Sequence, residues 1–154
     1  MSERLDLDDL YQEAILNHGR HPHNWRAMTD SSHLAHGENA SCGDEVVVFL
    51  KTDGEGVIRD AAFDGQGCAI ATASASLMTE VLTGKTPAEA KKLFELFQAL
   101  AAGEEDTPAA GMEDERKQLT SLSGVRAYPA RLKCAMLAWQ TMMAALENPK
   151  PRGG

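Results

Sequence analysis

The chain has 154 residues and a formal net charge of -8, and 43% of its residues are hydrophobic. This length favours a single domain with its own core, and the negative charge argues against a general nucleic-acid interface, which needs a basic face. No apolar run reaches the length of a membrane span, and the charged, amphipathic start predicts no secretory signal. We therefore expect a cytoplasmic protein with neither a membrane nor a nucleic-acid partner.

The chain begins with a predicted helix that Asp6 caps and Gly19 ends. Its apolar residues recur at helical spacing and comprise Leu7, Leu10, Tyr11, Ala14 and Ile15. The sequence His-Pro-His-Asn-Trp then predicts a turn-rich connection. Five histidines lie from His18 to His36, but their spacing fits no single helical or strand face. This segment is therefore predicted to be a loop rather than a metal site.

Strand patterns follow. Residues 45–51 and 57–63 are rich in β-branched side chains and are predicted to form a hairpin around the turn Asp53-Gly-Glu-Gly56. A further strand is predicted over residues 34–39. After Asp64-Gly-Gln-Gly67 the composition changes to Ala, Ser, Leu and Met, which predicts a helix over residues 68–82.

The second half of the chain is predicted to be helical. Thr86-Pro-Ala-Glu89 has the pattern of a capping box with proline at the first helical position. Its helix has the predicted buried stripe Ala90, Leu93, Phe94, Phe97 and Leu100. Residues 103–115 are acidic and turn-rich and predict a solvated loop. A short helix is predicted over residues 115–122, and Pro129 opens the last one.

The order of these elements predicts the fold class. A helix, then antiparallel strands, then further helices indicate an α+β fold, with a small antiparallel three-stranded sheet that carries helices on one face. We expect residues 1–148 to form one domain, and residues 149–154 to form a disordered tail.

The three cysteines cannot all pair in disulfides. In a reducing cytosol cysteines act as ligands or reactive thiols more often than as disulfides, although a single cysteine is commonly a small buried hydrophobe. The stretch NASCGDEVVVFL, residues 39–50, places Cys42 before a strand and one glycine away from Asp44. Cys42 can therefore be a buried hydrophobe, a disulfide partner, a nucleophile or a metal ligand.

All three cysteines are predicted to lie at or near the ends of elements. Gly43 lets Cys42 and Asp44 point to one side. Cys68 follows Gly65-Gln-Gly67 at a helix N-terminus, where the dipole favours a thiolate. Cys134 lies about 200° around its helix from Leu132, so it is predicted to face away from the centre of the apolar stripe. Two cations, Arg131 and Lys133, stand close to it in sequence.

Three thiols and one carboxylate provide four anionic ligands, the number that a tetrahedral zinc site needs. Iron–sulfur clusters normally take four cysteines, and an oxygen donor among sulfurs would make a cluster more labile. This ligand set suits a donor or acceptor better than an electron carrier. The spacing itself matches no local Cys-x-x-Cys finger.

Four segments resemble the IscU/SufU family of iron–sulfur cluster assembly proteins. They are YQEAILNHGRHPHN, NASCGDEVVV, FDGQGCAIATASASLMTEVLTGK and RAYPARLKCAMLAW, and they occur in the order of the family. The resemblance is to the SufU branch, because Lys133 precedes Cys134 where the IscU branch has a histidine. Residues 103–124 resemble a SufU insertion, and Tyr128-Pro-Ala-Arg-Leu-Lys133 replaces the chaperone-recognition segment LPPVK.

The resemblance implies a SufE/IscU-like fold in which Cys42, Asp44, Cys68 and Cys134 converge at one exposed end and bind Zn²⁺. It implies a sulfurtransferase function in which Cys42 accepts persulfide sulfur from a pyridoxal-phosphate-dependent cysteine desulfurase of the SufS type. Arg131 is expected to steer or stabilise the thiolate. Other cluster assembly proteins are the further partners expected.

Three alternatives remain open on the sequence. The first is a scaffold that assembles and transfers a [2Fe–2S] cluster, or holds iron, on the same four ligands. The second is a hydrolytic cysteine enzyme, which needs a histidine base near its nucleophile, whereas every histidine lies at or before His36. The third is a zinc-stabilised binding module without sulfur chemistry.

Overall fold

The computed structural model describes residues 11–39, 43–103 and 111–149. Its strands β1 (His33–Asn39), β2 (Asp44–Thr52) and β3 (Ile58–Gln66) form an antiparallel sheet in the order β1-β2-β3. Among these residues, four α-helices follow the sheet: α1 (Ala69–Leu82), α2 (Pro87–Ala101), α3 (Glu113–Thr120) and α4 (Leu132–Leu146). The predicted α+β fold with a three-stranded sheet is confirmed.

The segment before the sheet packs against α1. Residues 11–14 are helical and continue into a π-helical turn, Ile15–Gly19, with Arg20 as the C-cap. The predicted N-cap, Asp6, lies outside the described residues. Because Arg20 is the C-cap, Gly19 lies inside the helix and does not cap it. Its missing side chain serves packing, because a Cβ there would lie 3.1 Å from the carbonyl oxygen of Ala69.

The hairpin between β2 and β3 forms at the predicted turn. Asp53 Oδ1 accepts hydrogen bonds from the backbone N–H groups of Glu55 and Val57 at 2.9 and 3.0 Å. Gly56 has a φ of 87°, a conformation that glycine adopts without strain. The turn is thus defined by its own residues, which is why its position could be predicted from them.

Strand β3 is longer than predicted. It continues beyond residue 63 to Gln66, because Gly65 lets the two strands approach closely. With a φ of 127°, Gly65 has no room for a side chain, since a Cβ there would collide with the backbone carbonyl of Glu45. The additional residues of β3 stay paired with β2 as far as Gln66, which lies opposite Glu45, so the chain reaches the start of α1 close to Asp44.

The two faces of the sheet are buried by different parts of the chain. Alternate side chains point to opposite faces of a strand, and one set packs with α1 and α4 in the main core, as predicted. The opposite face carries a smaller cluster under the segment around Met28. The main-core residues from the sheet are Ala35, Val46, Val48, Leu50, Ile58, Ala61 and Phe63, and the smaller cluster comprises Met28, Phe49 and Ala62.

Helices α1 and α4 are joined inside the core by a buried hydroxyl. Ser74 Oγ donates to the carbonyl oxygen of Ala135 at 2.5 Å and accepts from Trp139 Nε1 at 3.1 Å. The Trp139 ring stacks on Phe97 with centroids 5.1 Å apart. Since α4 is covered by the sheet on one side and by helices on the other, residues 134–139 are all buried.

This placement corrects the prediction for Cys134. A side chain turned away from the centre of the apolar stripe was expected to be less covered, whereas that of Cys134 is completely buried. The apolar stripe suggested a helix with one covered face, whereas α4 is covered around most of its circumference. Burial on both sides removes the distinction on which the predicted orientation depended.

The remaining helices follow the sequence signals closely. Both hydrogen bonds of the predicted capping box are present between Thr86 and Glu89. Helix α3 begins two residues before its predicted start at 115, and residues 104–110 of the predicted acidic loop lie outside the described residues. Pro129–Arg131 is a 3-10 turn that precedes α4.

Of the predicted tail, residues 150–154 lie outside the described part of the chain, whereas Pro149 bridges to His33. No helix among the described residues is long and apolar enough to cross a membrane.

Candidate metal centre

Asp44 lies at the start of β2 with its carboxylate buried, at 1% exposure. Gly43 precedes it with a φ of 74°. One carboxylate oxygen, Oδ1, accepts the backbone N–H of Cys68 at 2.9 Å. The sheet and the start of α1 are therefore joined through the carboxylate of Asp44.

Cys68 is the N-cap of α1. Its Sγ accepts the backbone N–H of Ala71 at 3.4 Å, so the sulfur occupies the position at which a helix offers unpaired donors and a positive dipole. Gly67 makes room for this junction, because a Cβ there would lie 2.9 Å from Asp44 Oδ1 and 3.3 Å from Ala71 Cβ. Glycine at position 67 thus lets the carboxylate and the thiol share one pocket.

Cys134, in the first turn of α4, completes the described group. One ligand atom from each of Asp44, Cys68 and Cys134 lies within 4.8 Å of the others. Three of the four residues predicted to form the site are therefore together, although they come from a strand and two helices. The fourth, Cys42, lies outside the described residues, and its membership stays a prediction.

The donors of this group fit a thiophilic metal ion. Asp44 Oδ2 is buried and has no hydrogen-bond partner among the described residues, and an unpaired buried carboxylate oxygen is costly. A cation shared with the two sulfurs would satisfy that oxygen. Two thiolates and a carboxylate are ligands that zinc accepts. The chemistry of the donor set, and not its spacing, argues for a metal.

A groove of about 430 Å³ opens beside Cys68. Its walls are mainly apolar and include Tyr11, Leu16 and Ile70, with Arg131 as the cation on its rim. Tyr11 stacks on Tyr128 with ring centroids 5.7 Å apart, and burial raises the pKa of Tyr11. Tyr11 therefore stays uncharged, and Cys68 lines an open groove.

A second group of donors was missed by the sequence analysis. His18, His23 and Glu80 also place one ligand atom each within 4.8 Å of the others. The histidines were predicted to lie in a loop without metal ligands, and Glu80 lies on α1, 57 residues after His23 in the sequence. No local spacing could have signalled this group, because the tertiary fold brings it together.

Comparison with known proteins places the chain in one family. The sequence profile described as the NifU-like N terminal domain matches residues 10–135. The chain is 38% identical to the iron–sulfur cluster assembly scaffold protein IscU of Thermotoga maritima, over 90% of this chain and 94% of that one. It is 35% identical to the zinc-dependent sulfurtransferase SufU of Bacillus subtilis, over 92% of each.

A solved structure supports the same relationship. The putative iron–sulfur cluster assembly scaffold protein for the SUF system from Fervidobacterium islandicum superposes with a TM-score of 0.79 at 32% identity, covering 90% of this chain and 97% of that one. The fold, the grouped Asp44, Cys68 and Cys134, and these similarities agree. The chain belongs to the NifU-like N-terminal domain family and is an iron–sulfur cluster assembly protein of the IscU/SufU type.

Proposed function

We propose that this protein is a zinc-dependent sulfur acceptor of the SufU branch, which takes persulfide sulfur from a cysteine desulfurase for cluster assembly. The observation that carries the proposal is the buried Asp44 carboxylate held against Cys68 and Cys134, with one oxygen that has no described partner. The 35% identical relative named a zinc-dependent sulfurtransferase supports the same function. Lys133, before Cys134, favours the SufU branch.

The proposed zinc ligands are Asp44, Cys68, Cys134 and Cys42. Zinc, when bound, would keep its sulfur ligands in the thiolate form, which is the form that attacks sulfur. The protein itself presents Cys68 at a helix N-terminus and fixes Asp44 by the backbone N–H of Cys68. Asp44 is the one hard donor in the set, so it suits a site whose occupant exchanges.

Cys42 is the proposed acceptor. Its thiolate attacks the terminal sulfur of the desulfurase persulfide. A new S–S bond forms to Cys42, the S–S bond of the donor breaks, and the desulfurase cysteine leaves as a thiolate. The transfer needs no external oxidant or reductant, because one persulfide is consumed and one is formed. Cys42 suits this role since Gly43 follows it, whereas Cys68 and Cys134 are fixed by helices.

The groove beside Cys68 is the proposed entrance for the donor. A persulfide on a neighbouring protein must be delivered by a protruding segment, and the uncharged wall of Tyr11 and Ile70 provides a dry approach. Arg131 on the rim would attract the anionic sulfur. The proposed donor is a pyridoxal-phosphate-dependent cysteine desulfurase of the SufS type, acting in the cytoplasm with other cluster assembly proteins.

The direct test is the rate at which such a desulfurase releases alanine from cysteine, with and without this protein. We expect the wild-type protein to raise the rate and to gain one sulfur atom on Cys42, detected by mass spectrometry. Cys42→Ala should do neither while remaining folded by circular dichroism. Full sulfur acceptance by Cys42→Ala would overturn the acceptor role. Of the zinc in purified wild-type protein, about one ion per chain should be bound by thiolates, and the loss of this thiolate-bound ion would count against the proposed site.

A cluster scaffold is the second candidate. It is favoured by the 38% identical relative named as a scaffold, and the same donors could hold a [2Fe–2S] cluster as cargo. Anaerobic reconstitution with iron and sulfide separates the two functions. A stable visible chromophore that transfers to an apo-ferredoxin, without stimulation of the desulfurase, would replace the sulfur-acceptor proposal with the scaffold.

A further inference from the structure

The second donor group lies on the same helix as the cysteine group but at its other end. Glu80 follows Cys68 by 12 residues, which corresponds to about 18 Å along the axis of a helix. The two histidines come from the segment that crosses α1 before β1. His18, His23 and Glu80, defined here as the histidine group, are therefore a separate set of donors.

Ser76 contacts one ring nitrogen of His18 and the backbone of His23. Its buried Oγ lies 2.8 Å from His18 Nδ1 and accepts the backbone N–H of His23 at 2.7 Å. A hydroxyl oxygen has two lone pairs, so it can accept from both. In the tautomer in which His18 Nδ1–H donates to Ser76, the lone pair of His18 Nε2 faces Glu80 and is available to a metal ion. Ligand histidines in metal sites are commonly oriented by such a bond from the other ring nitrogen.

Donor atoms of His18, His23 and Glu80 lie within 4.8 Å of one another. His23 Nδ1 lies 2.9 Å from Glu80 Oε2, and His18 Nε2 lies 3.8 Å from Glu80 Oε1. An ion pair between His23 and Glu80 would explain the first distance alone. It does not explain why the second carboxylate oxygen faces a second imidazole, with the two rings only 4.6 Å apart. A shared cation accounts for both contacts.

Exposure and charge also suit a bound ion. The side chain of His18 is 14% exposed, whereas those of His23 and Glu80 are 46% and 39% exposed. One ligand is thus held inside and two form a rim where water can complete the coordination. Burial, together with the neighbouring His23, lowers the pKa of His18, which favours the neutral imidazole. The Glu80 carboxylate adds a negative charge to the donor set, which attracts a divalent cation.

We propose that the histidine group is a second metal site, which binds a divalent transition-metal ion of the zinc type. Two imidazole nitrogens and a carboxylate are a donor set that zinc, cobalt and nickel accept, whereas magnesium and calcium prefer oxygen ligands alone. The ion would tie the segment holding His18 and His23 to the last turn of α1. The site does not depend on the proposed sulfur chemistry and uses none of its residues.

Anaerobic titration of the full reduced chain with Co²⁺ tests the site, because Co²⁺ bound to thiolates and Co²⁺ bound to imidazoles have different absorption spectra. We expect two ions per chain in the wild type. One should show thiolate-to-cobalt charge transfer, and the other should show only ligand-field bands. Glu80→Gln and His23→Ala should each bind one ion and keep the charge-transfer band. The matched control is His21→Ala, an exposed histidine of the same segment, which should still bind two.

Other stoichiometries would overturn the proposal. It is wrong if the wild type binds no cobalt beyond the thiolate site, or if both variants still bind a second ion. Equal loss of the second ion in His21→Ala would indicate scattered binding by surface histidines and would also refute it. If the wild type bound an ion at the histidine group but showed no charge-transfer band, the result would count against the proposed zinc site at the cysteines and not against the histidine group. Glu80→Gln preserves the side-chain volume, and circular dichroism verifies its fold.

Discussion

The cysteine group, Asp44, Cys68 and Cys134, lies at the N-terminal end of α1, while the histidine group lies against its last turn. Asp44 and Cys134 are at most 1% exposed, whereas two of the three side chains of the histidine group are more than one-third exposed. The cysteine group joins a strand to two helices, with Asp44 and Cys134 buried and Cys68 partly exposed. The histidine group lies at the surface and connects the segment before β1 to α1.

We expect the burial of the donors to decide how strongly a bound metal ion stabilises the fold. Buried donors keep their geometry only while the core is intact, and Asp44 Oδ2, which has no hydrogen-bond partner among the described residues, penalises the metal-free state. Donors at the surface are hydrated when the ion leaves. We therefore expect the two groups to respond differently to substitution.

The largest effect is expected for Cys134→Ala, which removes a buried ligand. Substituting residues that merely support metal ligands already costs about 10–100-fold in affinity, so the zinc affinity of the cysteine group should fall by more than about 100-fold. Isothermal titration with zinc, in competition with a chelator, measures the change. His23→Ala should leave this affinity unaltered while losing the second ion. A similar loss in both variants would show that the groups are coupled.

Ser74→Ala tests whether the core beneath the cysteine group supports it. The substitution leaves Trp139 Nε1 without its acceptor and removes the bond to the Ala135 carbonyl. Leaving a buried donor unsatisfied costs about 1–3 kcal/mol, and the free energy of unfolding in urea should fall by that amount. Ala135 follows Cys134, so zinc binding should weaken as well. Unaltered stability would mean that the buried hydroxyl does not hold α1 to α4.

Gly67→Ala should weaken zinc binding by about tenfold, or about 1.4 kcal/mol, because the added Cβ would lie 2.9 Å from Asp44 Oδ1. The carboxylate must shift and disturb its bond from the Cys68 backbone. Gly54→Ala is the control, since among the described residues no atom outside its immediate chain neighbours lies within 4 Å of the corresponding Cβ. Equal zinc affinities for both variants would show that Asp44 is not held by close packing at Gly67.

Local signals explain what could be predicted from the sequence. The capping box of Thr86 and Glu89 and the turn at Asp53 are formed by residues that are close in sequence, so both could be predicted without knowledge of the fold. The position of Cys68 at the start of a helix could likewise be predicted from the glycines before it. The family resemblance, and not spacing, linked Asp44 to cysteines that come from distant parts of the chain.

The features that the sequence did not predict all depend on tertiary packing. The full burial of Cys134 was not predicted, because helical periodicity cannot show that α4 is covered on two sides. The end of β3 was missed because Gly65 permits a close approach that only the neighbouring strand reveals. Glu80 was not linked to His18 and His23 because its position on α1 is fixed by packing against a segment more than 50 residues earlier.

The smallest effect is expected for His23→Ala in metal-free protein. Its side chain is 46% exposed and its contact to Glu80 lies at the surface, where ion pairs contribute little. The free energy of unfolding should change by less than about 0.5 kcal/mol. Ser76→Ala is the informative contrast, because this buried hydroxyl accepts the His23 backbone N–H and bonds to His18, and its loss should cost about 1–2 kcal/mol.

Zinc then separates the wild type from His23→Ala. Binding to the native state raises stability by mass action, so saturating zinc should raise the unfolding temperature of the wild type more than that of His23→Ala. The difference isolates the histidine group, since both proteins keep the cysteine group. If His23→Ala were as destabilising as Ser76→Ala without metal, the His23 side chain would be part of the fold, and the contrast between a buried and a surface group would fail.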